Sequence, residues 1–289
     1  MQIASLFQKN RPVFSLEIFP PKRTGPIDTI YKTLDSLKDL EPDFISVTYG
    51  AGGNAADTST ADIAGNILHR YGILPLAHLT CVNYSRHEVE QILERLKEKN
   101  IKNILALRGD INPDIPPKKE FSHASDLVKF IREKGDFYIS GACYPEGHVD
   151  AKSLDEDIEH LKAKVDAGVS HLISQLFFDN AYFYNFLEKA RKNGINVPIQ
   201  AGIMPVINKA QIERMVTLCG ASLPSKFTKM MQRFEHSLEA IREAGIKAVF
   251  DPMYGAGMNY LDVILAEHGC ELEVIHNWRD PLFGGSLPD

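Results

Sequence analysis

The chain has 289 residues and a net charge of −6 at pH 7, and it is 44% hydrophobic and 24% charged. These values are typical of a globular protein with a sizeable core, and the length suits one large α/β barrel or two ordinary domains. The acidic balance and the lack of a long basic run argue against nucleic acid as the main partner.

Segments typical of strands alternate with segments typical of helices along the chain. Strands are predicted, in chain order, at 13–19, 44–49, 74–80, 103–107, 138–143, 171–178 and 197–204. Helices are predicted at 27–40, 60–71, 87–99, 124–134, 154–167, 181–193 and 209–219. Strands that alternate with helices pair in parallel through right-handed crossovers.

This order of elements predicts a closed (β/α)8 TIM barrel, because it exceeds what one doubly wound sheet usually contains. A doubly wound fold is the alternative. It is weakened because no GxGxxG motif follows the first strand, and the glycine-rich loop at 50–53 follows the second and lacks that spacing. With no linker or break in composition before about residue 235, we expect residues 1–289 to form a single domain.

Cysteine use and the chain start favour a cytoplasmic protein. Cys81, Cys143, Cys219 and Cys270 lie far apart and form no CxxC pair, which fits reduced thiols better than disulfides or zinc. The first residues lack the apolar core of a signal peptide, and no stretch is long enough to span a membrane. We therefore expect no membrane partner.

Polar residues stand at the predicted carboxyl ends of all seven strands, where a barrel builds its site. They are Glu17, Thr48, Tyr49, His78, Thr80, Arg108, Asp110, Tyr144, His148, Gln175 and Gln200. The most informative group is Arg108-Gly109-Asp110, because a charged tip after the apolar run 103–107 has no packing role. Taken alone, however, Gly-Asp is also an ordinary turn dipeptide.

Several of these residues have two readings. Glu17 is either a buried acid with a raised pKa or a surface residue on an edge strand, and a closed barrel, which has no edge, favours the acid. A single histidine such as His78 is more often a core residue than a ligand. His78 and His148 lack a third ligand at a recognisable spacing, so we predict no metal site.

The chemistry predicted from these residues is redox chemistry on a bound cofactor. Asp157, His160 and Lys164 recur at helical spacing, which is most often a solvated face but can also hold a phosphate or ribose. No nucleophile with a partner base is visible, and GxSxG is absent. Many polar tips and one acid suit a large organic cofactor better than hydrolysis.

The chain resembles the methylenetetrahydrofolate reductase family in eight stretches that occur in family order over most of its length. They are SLEIFPPK at 15–22, SVTYGA at 46–51, AHLTC at 77–81, LALRGD at 105–110, ACYPEGH at 142–148, KVDAG at 164–168, QLFFD at 175–179 and GIMPV at 202–206.

The resemblance implies an FAD-containing barrel that reduces methylenetetrahydrofolate to methyltetrahydrofolate with NADH or NADPH, in one-carbon metabolism and methionine biosynthesis. It implies that Glu17 is the general acid and that Asp110 acts beside the flavin and the folate. The positions that match FAD contacts are Thr48, Tyr49, Ala51, His78, Arg108, Gly109, Asp110, Ala124, Tyr144, His148, Ala151, Asp157, His160 and Lys164. Those that match folate contacts are Glu17, Asp110, Gln175 and Gln211.

Two positions depart from the family pattern. The family often has Asn where His160 stands and a basic residue where Ala163 stands. The resemblance is therefore weaker at the phosphate end of the implied FAD site than at its ring end.

From about Ile246 the chain leaves the family pattern, and residues 247–289 resemble the start of the second domain of an α-phosphohexomutase. We interpret the chain as a chimera of two α/β proteins, reductase-like over 1–245, with an unusual natural fusion as the alternative. The fragment lacks the phosphoserine loop and metal-binding aspartates, so no mutase activity is expected. Of its strand-like segments, 247–251 and 271–276, we expect the second to be the eighth barrel strand, which places Arg279 near the folate site.

The leading prediction is thus an FAD-dependent reductase with a small-molecule folate substrate, whose activity depends on how the replaced C-terminus completes the barrel. A chimeric scaffold that binds flavin without catalysis is the first alternative. A sugar-phosphate-binding protein is the second, and it rests on the C-terminal fragment alone. The oligomeric state is left open, with a homo-oligomer among the alternatives.

Overall fold

The computed structural model describes residues 1–9, 11–20, 28–49, 59–111, 116–204, 209–233, 249–250 and 273–274. Seven parallel strands form one sheet in the order β1 to β7. Their bounds are β1 (Ser15–Ile18), β2 (Phe44–Val47), β3 (Leu74–Thr80), β4 (Asn103–Leu107), β5 (Tyr138–Cys143), β6 (His171–Ser174) and β7 (Ile199–Gln200).

A helix follows each strand, as predicted, and one further helix follows the last. Their bounds are α1 (Asp28–Leu37), α2 (Ser59–Tyr71), α3 (Arg86–Glu98), α4 (Ala124–Lys134), α5 (Leu154–Asp166), α6 (Asn180–Lys192), α7 (Lys209–Cys219) and α8 (Ser225–Arg233). The sequence interpretation missed α8. Its signal is the pair Phe227 and Met231, which pack with Ile212 of α7 in a small separate core.

The strand predictions are confirmed for seven strands, but four of the strands are shorter than expected. β1 spans Ser15–Ile18 rather than 13–19, β2 spans Phe44–Val47 rather than 44–49, and the last two differ most. β6 ends at Ser174 rather than at 178, and β7 spans only Ile199–Gln200. Pro198 precedes β7 and has no N–H to donate to a sheet, although its carbonyl accepts a hydrogen bond from Leu172 N at 2.9 Å. The apolar residues that follow these two strands lie in irregular segments.

The register divides the strand side chains between two cores, because in-register partners of a parallel sheet point to the same face. On the outer face, the helices cover residues such as Ile45, Val47 and Leu79 in the main apolar core. On the inner face, Phe44, Leu76 and Leu105 form a second core with Ile3 and Leu6. A sheet that is buried on both faces is typical of an α/β fold with parallel strands.

The sheet curls until its last strand approaches its first. Gln200 of β7 donates a hydrogen bond from Nε2 to Oγ of Ser15 in β1 at 2.9 Å. The fold is therefore a curled parallel sheet of seven strands, surrounded by helices.

A short N-terminal 3₁₀ helix, Ile3–Gln8, closes the inner core at the amino ends of the strands. The backbone N–H of Ile3 donates to Oδ1 of Asn103, the first residue of β4, and Nδ2 of Asn103 donates to the carbonyl of Met1; both distances are 3.1 Å. The ring of Phe7 lies 4.9 Å from that of His171. This plug, Ile3–Gln8, was not predicted.

After residue 233, the described residues are those of two short strands. Val249–Phe250 (β8) pairs in parallel with Glu273–Val274 (β9) in a separate two-stranded sheet. We expected the segment at 271–276 to be the eighth strand of the barrel. That expectation is not met by the described residues, because Glu273–Val274 pairs with β8 rather than with β1 or β7. Arg279 lies outside the described residues.

No helix in the described part of the chain has the length and apolar character needed to cross a membrane.

Candidate active site

Glu17 projects from β1 into the inside of the curled sheet, where it meets side chains from the next two strands. Its partner in register is Ser46 of β2. Oε2 of Glu17 lies 3.5 Å from Nε2 of His78 in β3, and that nitrogen lies 2.5 Å from Oγ of Ser46. We call Glu17, Ser46 and His78 the acid cluster.

The surroundings of the acid cluster shift both of its titratable groups toward their neutral forms. Desolvation by the surrounding walls raises the pKa of Glu17 above its usual value, and a hydrogen bond from Ser46 opposes the rise. The side chain still has 45% of its surface accessible, because it faces the open end of the sheet. Burial lowers the pKa of His78 to about 4, so the imidazole is neutral near pH 7.

The tip Arg108-Gly109-Asp110 is held against the neighbouring strand. The carbonyl of Arg108 accepts hydrogen bonds from the backbone N–H groups of Cys81 and Val82, at 3.1 and 2.8 Å. Gly109 has φ +87°, and a Cβ there would lie 3.0 Å from Cβ of Thr80. A side chain would be strained and crowded at this position, so glycine is required for the tip to lie this close.

The guanidinium of Arg108 is already paired. Its Nη2 donates to Oδ2 of Asp150 at 2.7 Å, and the same carboxylate oxygen lies 3.8 Å from Nδ1 of His148. The hydrogen bond from Arg108 lowers the pKa of Asp150. Asp150 was not predicted. Its signal in the sequence is an acid two residues after His148, although its partner stands 42 residues away.

Asp157 and Lys164 of α5 approach the end of β5 together with Tyr144, and we call these three residues the Lys164 cluster. Nζ of Lys164 donates to the carbonyl of Ala142 at 2.8 Å. Oδ2 of Asp157 accepts from the backbone N–H of His148 at 3.2 Å. Since both side chains have partners from the sheet side, the solvated-face reading of this helical set is wrong for them.

Desolvation is the main cause of the pKa shifts in the Lys164 cluster. It raises the pKa of Asp157 and lowers that of Lys164. It also raises the pKa of Tyr144 to about 12, with Asp157 adding to the rise. A buried, weakly solvated cation at the end of a strand is chemically suited to binding an anionic group.

Asp110 follows β4 as an exposed carboxylate near the end of α7. Burial raises the pKa of Cys219 in α7, and the charge of Asp110 adds to that rise. Asp110 also contributes to the raised pKa of Tyr144. The charge of Asp110 therefore acts on the thiol of Cys219 in α7 and on the hydroxyl of Tyr144 after β5.

The other predicted cofactor residues lie around the same strand ends. The carbonyl of Thr48 accepts from Oγ1 of Thr60 at 3.1 Å, and the ring of Tyr49 packs edge-on against Tyr84. His160 stacks on His123 with ring centroids 6.5 Å apart. Ala124 begins α4, and the N–H of Ala151 donates to the carbonyl of His148. Ala51 lies outside the described residues.

The predicted folate residues are described only in part. The backbone N–H of Gln175 donates to the carbonyl of Cys143 at 2.8 Å, and its side-chain Oε1 accepts from Leu176 N. Gln211 lies in α7, but its side chain is outside the described part of the structure. Gln200, a predicted strand tip, instead links β7 to β1.

Within the described residues, no group of three or more His, Cys, Asp or Glu side chains is placed to hold a metal ion. The thiols of Cys81 and Cys143 are free and buried, and burial raises the pKa of each well above its usual value. These thiols are therefore protonated and poor nucleophiles.

Comparison with known proteins identifies the family of this chain. The profile of the family described as methylenetetrahydrofolate reductase matches residues 2–255. The chain belongs to this family. Its 5,10-methylenetetrahydrofolate reductase relative from Pectobacterium carotovorum is 37% identical over 237 residues, which cover 82% of this chain and 78% of that protein. Methylenetetrahydrofolate reductase (NADH) 1 of Arabidopsis thaliana is 35% identical, and the match covers 85% of this chain but only 44% of the plant protein.

The similarity to reductases extends beyond Ile246, where we expected it to stop. Methylenetetrahydrofolate reductase 2 of Schizosaccharomyces pombe is 35% identical over 294 aligned residues that cover 95% of this chain. A span of that size necessarily includes residues after Ile246. The phosphohexomutase-like segment stays a prediction.

A solved structure supports the fold independently of the sequence. An uncharacterized protein from Clostridium thermocellum, whose description states that it binds two copies of 5-methyl-5,6,7,8-tetrahydrofolic acid, superposes with a TM-score of 0.58. The match covers 93% of this chain and 90% of that protein at 17% identity. This similarity concerns the fold alone.

Proposed function

We propose that this protein reduces methylenetetrahydrofolate to methyltetrahydrofolate, with bound FAD as the redox cofactor and NADH or NADPH as the electron donor. The observation that carries the proposal is the acid cluster, in which a carboxyl group with a raised pKa stays partly accessible to solvent. Relatives at 35–37% identity with this reductase activity in their names support the choice of reaction.

Glu17 is the group that would donate the proton. A general acid works best when its pKa lies near the working pH, and desolvation moves the pKa of Glu17 in that direction. By family analogy, protonation of the substrate at nitrogen opens its methylene bridge to an iminium. The 45% accessible side chain can reach a substrate that enters through the mouth.

The described residues around β4 and β5 fit a flavin nucleotide. The cations of Arg108 and Lys164 suit its two phosphates, and Gly109 lets the strand tip that carries Arg108 lie close against Thr80. FAD, when bound, supplies two-electron hydride chemistry. Asp110 and Tyr144 would orient the ring end, while Asp157 and His160 would lie toward the ribose and phosphates.

The interpretation as an inactive chimeric scaffold is not favoured. The similarity to a reductase covers 95% of the chain, and Gln200 of β7 donates a hydrogen bond to Ser15 of β1. The sugar-phosphate alternative depended on the C-terminal fragment alone. The free thiols of Cys81, Cys143 and Cys219 support our proposal of a reducing, cytoplasmic location.

An anaerobic absorbance experiment tests the proposed function. Purified protein is expected to show flavin absorbance, to bleach when NADH or NADPH is added, and to regain its colour with methylenetetrahydrofolate. A Glu94→Gln variant, which alters a surface ion pair with Lys97, is expected to behave as the wild type. A protein that bleaches but is not reoxidised by the folate would contradict the substrate, and one that binds no FAD would contradict the cofactor.

A further inference from the structure

The hydroxyl of Ser46 lies between the two titratable groups of the acid cluster. Ser46 is 3% exposed, and its Oγ lies 2.5 Å from Nε2 of His78. It also donates to the carboxylate of Glu17, where it opposes the rise in pKa. A buried serine hydroxyl between an acid and an imidazole requires an explanation.

The explanation comes from counting protons. Ser46 has one hydroxyl proton and can donate it either to Glu17 or to Nε2 of His78. When Glu17 is ionised, the hydroxyl donates to the carboxylate, so Nε2 must carry the ring proton and donate to Oγ. When Glu17 is protonated, the hydroxyl is free to donate to Nε2, and the ring proton is then on Nδ1.

We propose that Ser46 is a positioning residue that couples the protonation state of Glu17 to the tautomer of His78. The proposal rests on the proposed function only in assigning Glu17 as the acid of the reaction. The imidazole stays neutral throughout: it exchanges one ring proton for another with solvent, and no net proton is taken up. After Glu17 gives its proton to the substrate, the Ser46 hydroxyl turns to the new carboxylate and holds it in place.

The other titratable groups on the inner side of the sheet have different partners. Nδ1 of His171 in β6 forms a hydrogen bond with Oγ of Ser140 at 3.0 Å. The ring of His171 packs on Phe7 of the plug. Asp110, beyond the end of β4, acts on Tyr144 and Cys219. Among the described residues, Ser46 and desolvation account for the shift at Glu17.

Histidine ¹⁵N NMR tests the coupling directly, on the protein as purified. The chain has 10 histidines, and a His78→Gln variant identifies the signals of His78 by their loss. In wild-type protein, the two ring nitrogens of His78 are expected to move in opposite directions as pH rises through the titration of Glu17. Opposite movement reports a tautomer change, whereas protonation of the ring affects both nitrogens together.

Three variants decide the outcome. Ser46→Ala is expected to abolish the opposite movement, and Glu17→Gln to hold the ring proton on Nδ1 at every pH. Ser46→Thr retains the hydroxyl and is expected to restore the coupling, which keeps the test valid if the alanine variant folds poorly. If His78 changes tautomer in the Glu17→Gln variant, or if wild-type His78 keeps one tautomer, the proposal is overturned.

Ser140→Ala is the matched control, because it removes the other buried serine that contacts a histidine inside the sheet. It is expected to leave the signals of His78 unchanged. A loss of coupling in this variant equal to that in Ser46→Ala would show a general effect on packing and overturn the specific role of Ser46.

A kinetic arm connects the coupling to the reaction. Reoxidation of reduced protein by methylenetetrahydrofolate is expected to decline at high pH as Glu17 ionises. Because Ser46 lowers the pKa of Glu17, Ser46→Ala should move that decline to higher pH, whereas Ser140→Ala should not. An unmoved decline in Ser46→Ala overturns the proposal. If no reoxidation occurs in any protein, the proposed function fails while the NMR result still decides the role of Ser46.

Discussion

Arg108 and Asp150 form an ion pair between the loops that follow β4 and β5, with Nη2 and Oδ2 2.7 Å apart. Asp150 therefore occupies the guanidinium to which an anionic phosphate would bind. Its side chain is 58% exposed, so the pair can open to admit a ligand. In the proposed FAD site, this carboxylate competes with the phosphate for the same cation.

The first prediction follows from this competition. An Asp150→Asn variant should bind FAD about 1.4- to fivefold more tightly, because an exposed ion pair contributes only ~0.2–1 kcal/mol. Titration of the apoprotein with FAD, followed by flavin fluorescence, measures the change, which should shrink at high salt. Asp166→Asn, which removes a carboxylate paired with Lys162 on α5, is the control for net charge. Weaker binding by Asp150→Asn would show that Asp150 helps to hold the cofactor.

The second prediction separates the two half-reactions. Glu17→Gln should bleach with NADH at close to the wild-type rate, because Glu17 plays no part in our account of that step. Its reoxidation by methylenetetrahydrofolate should slow by about 10²- to 10⁴-fold, the usual effect of losing a general acid. Stopped-flow absorbance measures both steps. Equal slowing of both steps would indicate that Glu17 serves the flavin rather than the folate.

The third prediction concerns stability and pH. Burial lowers the pKa values of His78 and His171 to about 4 from an ordinary value of 6.5. The unfolded chain therefore binds more protons than the folded one between these values, so the free energy of unfolding falls as the pH drops from 6.5 toward 4. Each histidine contributes a slope of up to about 1.4 kcal/mol per pH unit in this window and none above it.

Urea denaturation at several pH values measures this slope. His171→Gln should be less stable than the wild type at pH 7 and should show a shallower decline toward pH 5. His87→Gln, at an exposed position in α3, should leave the slope unchanged. An identical slope in His171→Gln would mean that His171 does not titrate abnormally.

The fourth prediction concerns the plug. Asn103→Ala removes the hydrogen bonds that Asn103 makes with Ile3 and Met1, at a site that is 2% exposed. We expect the free energy of unfolding to fall by about 1–3 kcal/mol, because the buried N–H of Ile3 is left without a partner. Urea denaturation measures the loss. Asn193→Ala, at the exposed end of α6, is the control, and an equally small effect of both variants would show that the plug adds little stability.

The parts of the fold that could be predicted are those in which the amino-acid pattern of one segment is enough to define its secondary structure. β3, β4 and β5 were predicted to the residue because each is an apolar run bounded by turns or charges. β6 was overextended because Phe177 and Phe178 are typical strand residues but pack against Phe183 of α6 and Phe227 of α8. The plug and the partners of β9 could not be predicted, since both depend on contacts between distant segments.

The site shows the same division. The strand-tip rule located Glu17, His78 and Arg108 because the ends of parallel strands meet at one edge. It could not show that Ser46, which lies within the apolar strand β2, contacts both His78 and Glu17. Asp150 was missed for a related reason, because only the folded loops bring it to Arg108.

The position of the plug has a practical consequence for anchoring the protein to a surface. Met1 is 72% exposed and lies beside Asn103, at the amino ends of the strands, whereas Glu17 opens toward their carboxyl ends. A tether joined to the first residue would leave from the base of the molecule. Immobilised protein would then present the strand ends that carry Glu17 to the surrounding solution, where dissolved compounds could reach them freely.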